Sequence, residues 1–241
     1  MPTPQLPMFF REIVPLDAKR HGTLRLARGS DYGFARETNA VPLAIHELAA
    51  AGADYPIVFG AAGVTGVLAI VGYRDRENLF VQKDGTWRRG AYVPAYARNY
   101  PFAFIEAPGG QTLMLGIDPK APSLGTKGAS LFDAKKASAT LNDAMELCRS
   151  LHQSLKETAL FCQALEERGL LVENRAVIEF KEGGAATLGG FRVIDLQKFG
   201  ALEDAVFIEW RKRGWLGPIY AHFHAAGRWG RIVDLAAGAR A

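Results

Sequence analysis

A chain of 241 residues, 49% apolar and 22% charged, is long enough to bury a substantial core, and this balance excludes extensive disorder. The formal charge of +4 is modest, and the densest basic clusters, Arg88-Arg89 and Arg211-Lys212-Arg213, are too short to draw a nucleic-acid footprint, so no nucleic-acid partner is expected. The most apolar window, residues 55–71, is broken by Gly60, Gly63 and Gly66 and falls short of the run of about 18 apolar residues that a membrane span needs, so no transmembrane segment is expected.

The opening MPTPQLPMFFREIVPLD holds three prolines among its first seven residues, with no basic start and no long apolar run. It does not read as a secretory signal, and a cytoplasmic location is the default expectation. Residues 1–35 form an irregular lead-in, interrupted by Pro15 and Gly22. Asn39-Ala-Val-Pro42 predicts a helix start, continued by Leu43, Ile45, Leu48 and Ala49 and ending near Gly52. Residues 55–59 and 67–73 read as strands joined by a glycine-punctuated turn, and residues 78–81 as a third short strand. After a turn at Asp84-Gly85, a short helix is expected from about Pro94, within residues 92–100. Residues 102–105 and 112–117 resemble a hairpin closed through Pro108-Gly109-Gly110. The stretch 121–137, rich in Gly, Pro, Ser, Thr and Lys, is the clearest mobile-loop candidate.

Residues 138–168 carry the strongest periodic signal. Ala144, Leu147, Leu151, Leu155, Thr158, Cys162 and Leu165 recur at intervals of three and four, which predicts one long amphipathic core helix with Thr140 as N-cap and Gly169 as its stop. Residues 176–180 and 187–194 follow as a hairpin around Glu182-Gly183-Gly184, and residues 196–213 as a helix with basic residues at its end. The fold class expected is α+β: a mixed or mainly antiparallel sheet flanked by helices, with one long amphipathic helix and a helical C-terminus, in a single domain spanning residues 1–241. The two cysteines, Cys148 and Cys162, lie fourteen positions apart in that long helix, roughly 21 Å, beyond disulfide reach; both are expected to be packed thiols.

Residues 214–229, GWLGPIYAHFHAAGRW, gather two tryptophans, a tyrosine, a phenylalanine and two of the five histidines. His222 and His224 would share a face on a strand but diverge by about 200° on a helix. A cupin-like metal site needs the strand, a downstream carboxylate at close spacing and another histidine. Only Asp234 follows as an acid, and no histidine does, so a packed aromatic helix is expected and no metal or other cofactor. Gly60-x-x-Gly63-x-x-Gly66 is followed by the strand pattern Val67 to Val71 rather than a helix, so a hairpin loop is favoured over a phosphate-binding turn. Gly125-Thr-Lys-Gly128 lacks P-loop spacing, no Ser sits in a G-x-S-x-G elbow, and neither cysteine has a local activator.

Several strings, read together, resemble the bacterial SapC family. They are Pro15-Leu16 with His21 and Leu24-Arg25-Leu26, residues 38–43 (TNAVPL), 55–59 (YPIVF), 74–81 (RDRENLFV) and 92–96 (YVPAY) with Arg98. Tyr100-Pro101-Phe102, Leu188-Gly189-Gly190-Phe191 and Gly214-Trp215-Leu216-Gly217 with residues 219–222 (IYAH) complete the set, so the resemblance covers nearly the whole chain. It implies a bacterial protein named for association with surface-layer loci, without an established reaction, cofactor or catalytic residue. Surface association would then need a non-classical route. It also implies an apolar stretch after His222, which favours the helix and makes His224 a departure.

Two functions are expected to compete. The first is a non-enzymatic interaction or surface-layer-associated protein, with an unknown protein partner or self-association into a homo-oligomer. The second is a small-molecule-binding protein or enzyme whose pocket near Tyr220 and His222 draws on Asn39, Glu47, Asn78, Arg98 and Asp195. A metal-binding protein ranks behind both. Each residue also has a structural role open to it: Asn39 as a helix cap, Asn78 in a turn, Asp195 at a strand end, Arg98 on a solvated helix face.

Overall fold

The computed structural model describes residues 6–27, 29, 31–106, 113–179 and 184–238. In chain order the principal elements begin with strand β1 (Ala40–Leu43), helix α1 (Leu48–Ala51), strands β2 (Ile57–Gly60) and β3 (Val67–Ile70), and helix α2 (Ala95–Asn99). The hairpin β4 (Phe102–Glu106) and β5 (Leu113–Ile117) leads to helix α3 (Ala139–Glu167), and a second hairpin follows, β6 (Leu171–Glu179) and β7 (Ala185–Ile194). The chain ends in helices α4 (Leu196–Gly200), α5 (Asp204–Lys212), α6 (Leu216–Ala225) and α7 (Trp229–Gly238). The architecture is α+β, and the strands described pair antiparallel throughout. The main sheet has five strands in the order β6-β7-β2-β3-β1. A smaller sheet joins β4 and β5 to Val14–Pro15.

Helix α3 ties the two sheets together. At about 1.5 Å per residue its 29 residues span about 43 Å, enough to cross both. Near its start, Leu141 and Cys148 pack with Phe102 and Ile117 of the small sheet. Near its end, Phe161, Cys162 and Leu165 cover one face of the main sheet, where Phe59, Val67 and Ala69 lie. Thr158, the polar member of the apolar stripe, accepts a hydrogen bond from the Ile45 amide at 2.8 Å and donates to the Ser154 carbonyl at 2.6 Å, so its hydroxyl is satisfied inside the core. The opposite face of the main sheet presents Val58, Ile70 and Phe191 to Trp229 at the start of α7, whose ring stacks on Phe191 at 5.7 Å.

Four expectations are corrected. Residues 40–43 are an edge strand, not the start of a helix; β1 pairs only with β3, so the N–H that Pro42 lacks interrupts no ladder, and Val41 and Leu43 are fully buried. The helical part is confined to a 3₁₀ turn at Ile45–Glu47 and the short α1. Residues 78–81 form a turn with a single bridge between Val81 and Trp87, because the Asn78 side chain takes the Phe80 amide at 2.9 Å. Residues 196–213 divide into α4 and α5, since Glu203 adopts extended backbone as the N-cap of α5.

The N-cap of α3 is Ser138, not Thr140. Its hydroxyl accepts from the Leu141 amide at 3.2 Å and donates to the Ser130 carbonyl at 2.6 Å. Ser138→Ala should therefore cost about 1–2 kcal/mol, read as a lower urea midpoint at unchanged slope. A loss below about 0.5 kcal/mol would show that the cap carries no weight.

Other stretches fill in as follows. Residues 121–137 hold four two-residue strands: Leu124–Gly125 and Ala129–Ser130 flank Arg25–Leu26, and Phe132–Asp133 pairs with Lys136–Ala137. The expected hairpin connections at Pro108-Gly109-Gly110 and Glu182-Gly183 lie outside the described residues. Among the described residues no helix is long and apolar enough to cross a membrane.

Candidate functional site

Of the seven candidate side chains, the structure brings Glu47 and Arg98 into one network. Glu47, 7% exposed, accepts from the Ala44 amide at 2.9 Å, the Ala95 amide at 2.6 Å and the Tyr92 hydroxyl at 2.8 Å. Arg98, on the exposed side of α2, donates to the Tyr92 hydroxyl at 3.2 Å and to the Val93 carbonyl at 3.1 Å. Burial, followed by the charge of Glu47 and its hydrogen bond, pushes the Tyr92 phenol up to about 12. This network fastens α1 to α2.

The others stand apart in local roles. The Asn39 carbonyl accepts from the Val71 and Gly72 amides at 2.8 and 3.1 Å, closing the end of the β1–β3 pair. Asn78, buried, donates to the Ala35 carbonyl at 3.0 Å. Asp195 caps α4 by accepting from the Gln197 and Lys198 amides at 2.9 and 3.1 Å.

Tyr220 and His222 lie two residues apart on α6, and helical geometry sends them different ways. Tyr220 is 46% exposed, with its ring against Phe199 and Phe223. His222 is buried beneath the Phe59 ring at 5.2 Å, and its Nε2 accepts from the Ile194 amide at 3.1 Å. That bond places the proton on Nδ1, which lies near the Ile57 backbone without a fully formed hydrogen bond. Burial lowers the imidazole to about 4, with the Ile57 backbone opposing. His224 is exposed, and among the described residues no three His, Cys, Asp or Glu side chains come together to hold a metal.

A cleft lined by none of these seven side chains lies elsewhere, and strand register creates it. Arg192 pairs directly with Phe59 across β7 and β2, so both side chains leave the sheet on the face that α3 covers. Cys162 and Glu166, one helical turn apart near the end of α3, face them. The chain between β2 and β3 closes the third side. Glycine is required at position 60, where a Cβ would sit 2.4 Å from the Val64 carbonyl oxygen, and Gly63 takes a left-handed φ of 80°. The cleft has a volume of about 400 Å³, with Phe59, Val64 and Leu171 among its apolar lining.

Arg192 is the charged anchor of this cleft. It is 6% exposed, donates from Nε to the Gly60 carbonyl at 2.8 Å and forms an ion pair from Nη1 to Glu166. Burial pushes the Cys162 thiol up to about 11, against the smaller pull of the Gly66 backbone and of Arg192. It is therefore a protonated wall group rather than a ready nucleophile. Reading the sequence alone misses Arg192. The available signal is an arginine between Phe191 and Val193, at the same parity as Ile194, in a strand ending that is otherwise apolar; its register against Phe59 is what makes it part of a cleft.

No curated protein and no solved structure matches the chain. The family model for SapC matches residues 16–232, a span that takes in β1 to β7, the cleft residues and α6. With most of its length matched, the chain belongs to the SapC family.

Proposed function

We propose that this SapC-family protein is a non-enzymatic binding protein and that it holds a small molecule in the cleft between the Gly60–Gly66 connection and the end of α3. The observation that carries this reading is Arg192: a guanidinium buried in the wall of a cleft of about 400 Å³, beside the apolar Phe59 and Leu171. Concave sites that hold small molecules combine an apolar lining with few, fixed polar groups, and this cleft has that composition. The raised thiol of Cys162 favours holding over covalent chemistry. The proposed site is displaced from the segment around Tyr220 and His222, whose side chains take separate environments.

The test is a fragment screen by amide NMR, with carboxylates, amines and neutral compounds in equal numbers. At least one class should shift the amides of residues 60–66 and 163–171, with dissociation constants between about 10 μM and a few mM, the range open to compact ligands. If every hit maps elsewhere, for example to the exposed rings around Tyr220, the cleft is not the binding site.

A further inference from the structure

We infer that the cleft takes small monocarboxylates with an apolar body, and that Glu166 stands in for the ligand's carboxylate on Arg192 when the cleft is free of ligand. The inference rests on the binding reading above and specifies its ligand class. An arginine guanidinium is a planar fork whose terminal nitrogens match a carboxylate in two parallel hydrogen bonds. Arg192 is held at Nε by the Gly60 carbonyl, which aims that fork along the wall of the cleft toward Glu166. Its Nη2 has no partner among the described residues.

The two members of the ion pair differ in freedom. The Arg192 side chain is 8% exposed and the Glu166 side chain 54%, so the arginine is fixed in the wall while the glutamate stands on the solvent side of α3. A ligand carboxylate that replaces Glu166 leaves Arg192 paired, and the released glutamate is hydrated on the helix surface. The exchange therefore creates no unpaired buried charge, which would be the prohibitive cost. Val64, 58% exposed at the cleft, and the partly buried Leu171 provide the surface for an apolar body, with the buried Phe59 ring as the floor behind them.

The rim limits the charge a ligand can carry. Glu167, also at the cleft, accepts from Gln163 at 2.8 Å and stays beside the released Glu166. Two carboxylates near the entrance repel any anion, and the repulsion grows with its charge, so phosphates and other multiply charged anions are disfavoured relative to a monocarboxylate.

The experiment compares 4-phenylbutyrate, its neutral amide and inorganic phosphate, titrated into the full chain and followed through the amides of residues 60–66 and the Nε–H signal of Arg192. Phenylbutyrate should shift these signals, and the amide and phosphate should bind at least about tenfold more weakly. Glu166→Gln should tighten phenylbutyrate about three- to tenfold, because the internal competitor is gone. Arg192→Lys should weaken it at least about tenfold, since a point charge replaces the fork. Glu166 is half exposed, so the Gln variant keeps its fold and carries the test even if the Lys variant does not. Equal binding of acid and amide, no gain in Glu166→Gln, or preferential binding of phosphate overturns the monocarboxylate inference while leaving a binding cleft in place. Absence of any shift with all three probes also overturns it, and the broader fragment screen then decides separately whether the cleft binds anything.

Discussion

Glu47→Ala should lower the unfolding free energy by about 4 kcal/mol, a large part of what a domain has to spare. The carboxylate is 7% exposed and accepts three hydrogen bonds, from the Ala44 amide, the Ala95 amide and the Tyr92 hydroxyl. Hydrogen bonds to a charged group contribute about 1.5–3 kcal/mol each, but they act as a unit, so the loss is smaller than their sum. Truncation strands two backbone amides in the interior and removes the link between α1 and α2. The Tyr92 oxygen still accepts from Arg98, but its hydroxyl proton loses its acceptor. Glu47→Gln should lose about 2 kcal/mol, because one carboxylate oxygen becomes an NH₂ facing a donor. Tyrosine titration gives a second reading: without Glu47, the Tyr92 phenol should fall from about 12 toward its ordinary range, since two of the causes that raise it are gone. Urea denaturation monitored by tryptophan fluorescence measures the stability change. A loss under about 1.5 kcal/mol for the alanine variant would show that water replaces the carboxylate at little cost.

Acidification should remove about 3 kcal/mol of stability through His222 alone. The folded imidazole titrates at about 4, below its ordinary value of 6.5, because it is buried under Phe59. Between these two values the unfolded chain binds a proton that the folded chain refuses. Stability from this group is thus fully present above about pH 6.5, declines as pH falls, and is lost by about pH 4, at roughly 1.4 kcal/mol per unit. His222→Phe isolates the effect. The variant should be about 1–2 kcal/mol less stable at pH 7, where it strands the Ile194 amide, yet its stability should change less between pH 7 and pH 4. If the two proteins lose stability in parallel across that window, the buried imidazole is not the group that titrates.

A feature is legible in the sequence when the signal that specifies it acts over a short range of the chain. The long helix was legible because its stripe from Leu151 to Leu165 repeats over several turns, and the structure buries Leu151, Thr158, Cys162 and Leu165. The hairpins β2–β3, β4–β5 and β6–β7 were legible from apolar runs separated by turn residues. Local signals failed where a partner decides. Pro42 reads as a helix start beside Asn39, yet it lies on the outer edge of a strand that β3 recruits. Ser138 outranks Thr140 as the cap because the Ser130 carbonyl receives its hydroxyl. Glu47 and Arg98 were identifiable as polar residues in helical surroundings, but the Tyr92 hydroxyl that joins them is a tertiary contact.

By itself the sequence determined the α+β class, the long amphipathic helix, the packed aromatic C-terminal segment and the SapC-like strings, because hydrophobic period and turn chemistry are local properties of the chain. Tertiary structure alone decided where the candidate side chains lie. His222 became a buried neutral base and Tyr220 a surface ring because the helix turns them apart. Arg192 became the anchor of a cleft because the register of β7 against β2 sets it beside Phe59 and beneath Glu166. Register here is a pairing between residues distant in the chain, Phe191 with Gly60 and Arg192 with Phe59, and no local pattern in either strand carries it.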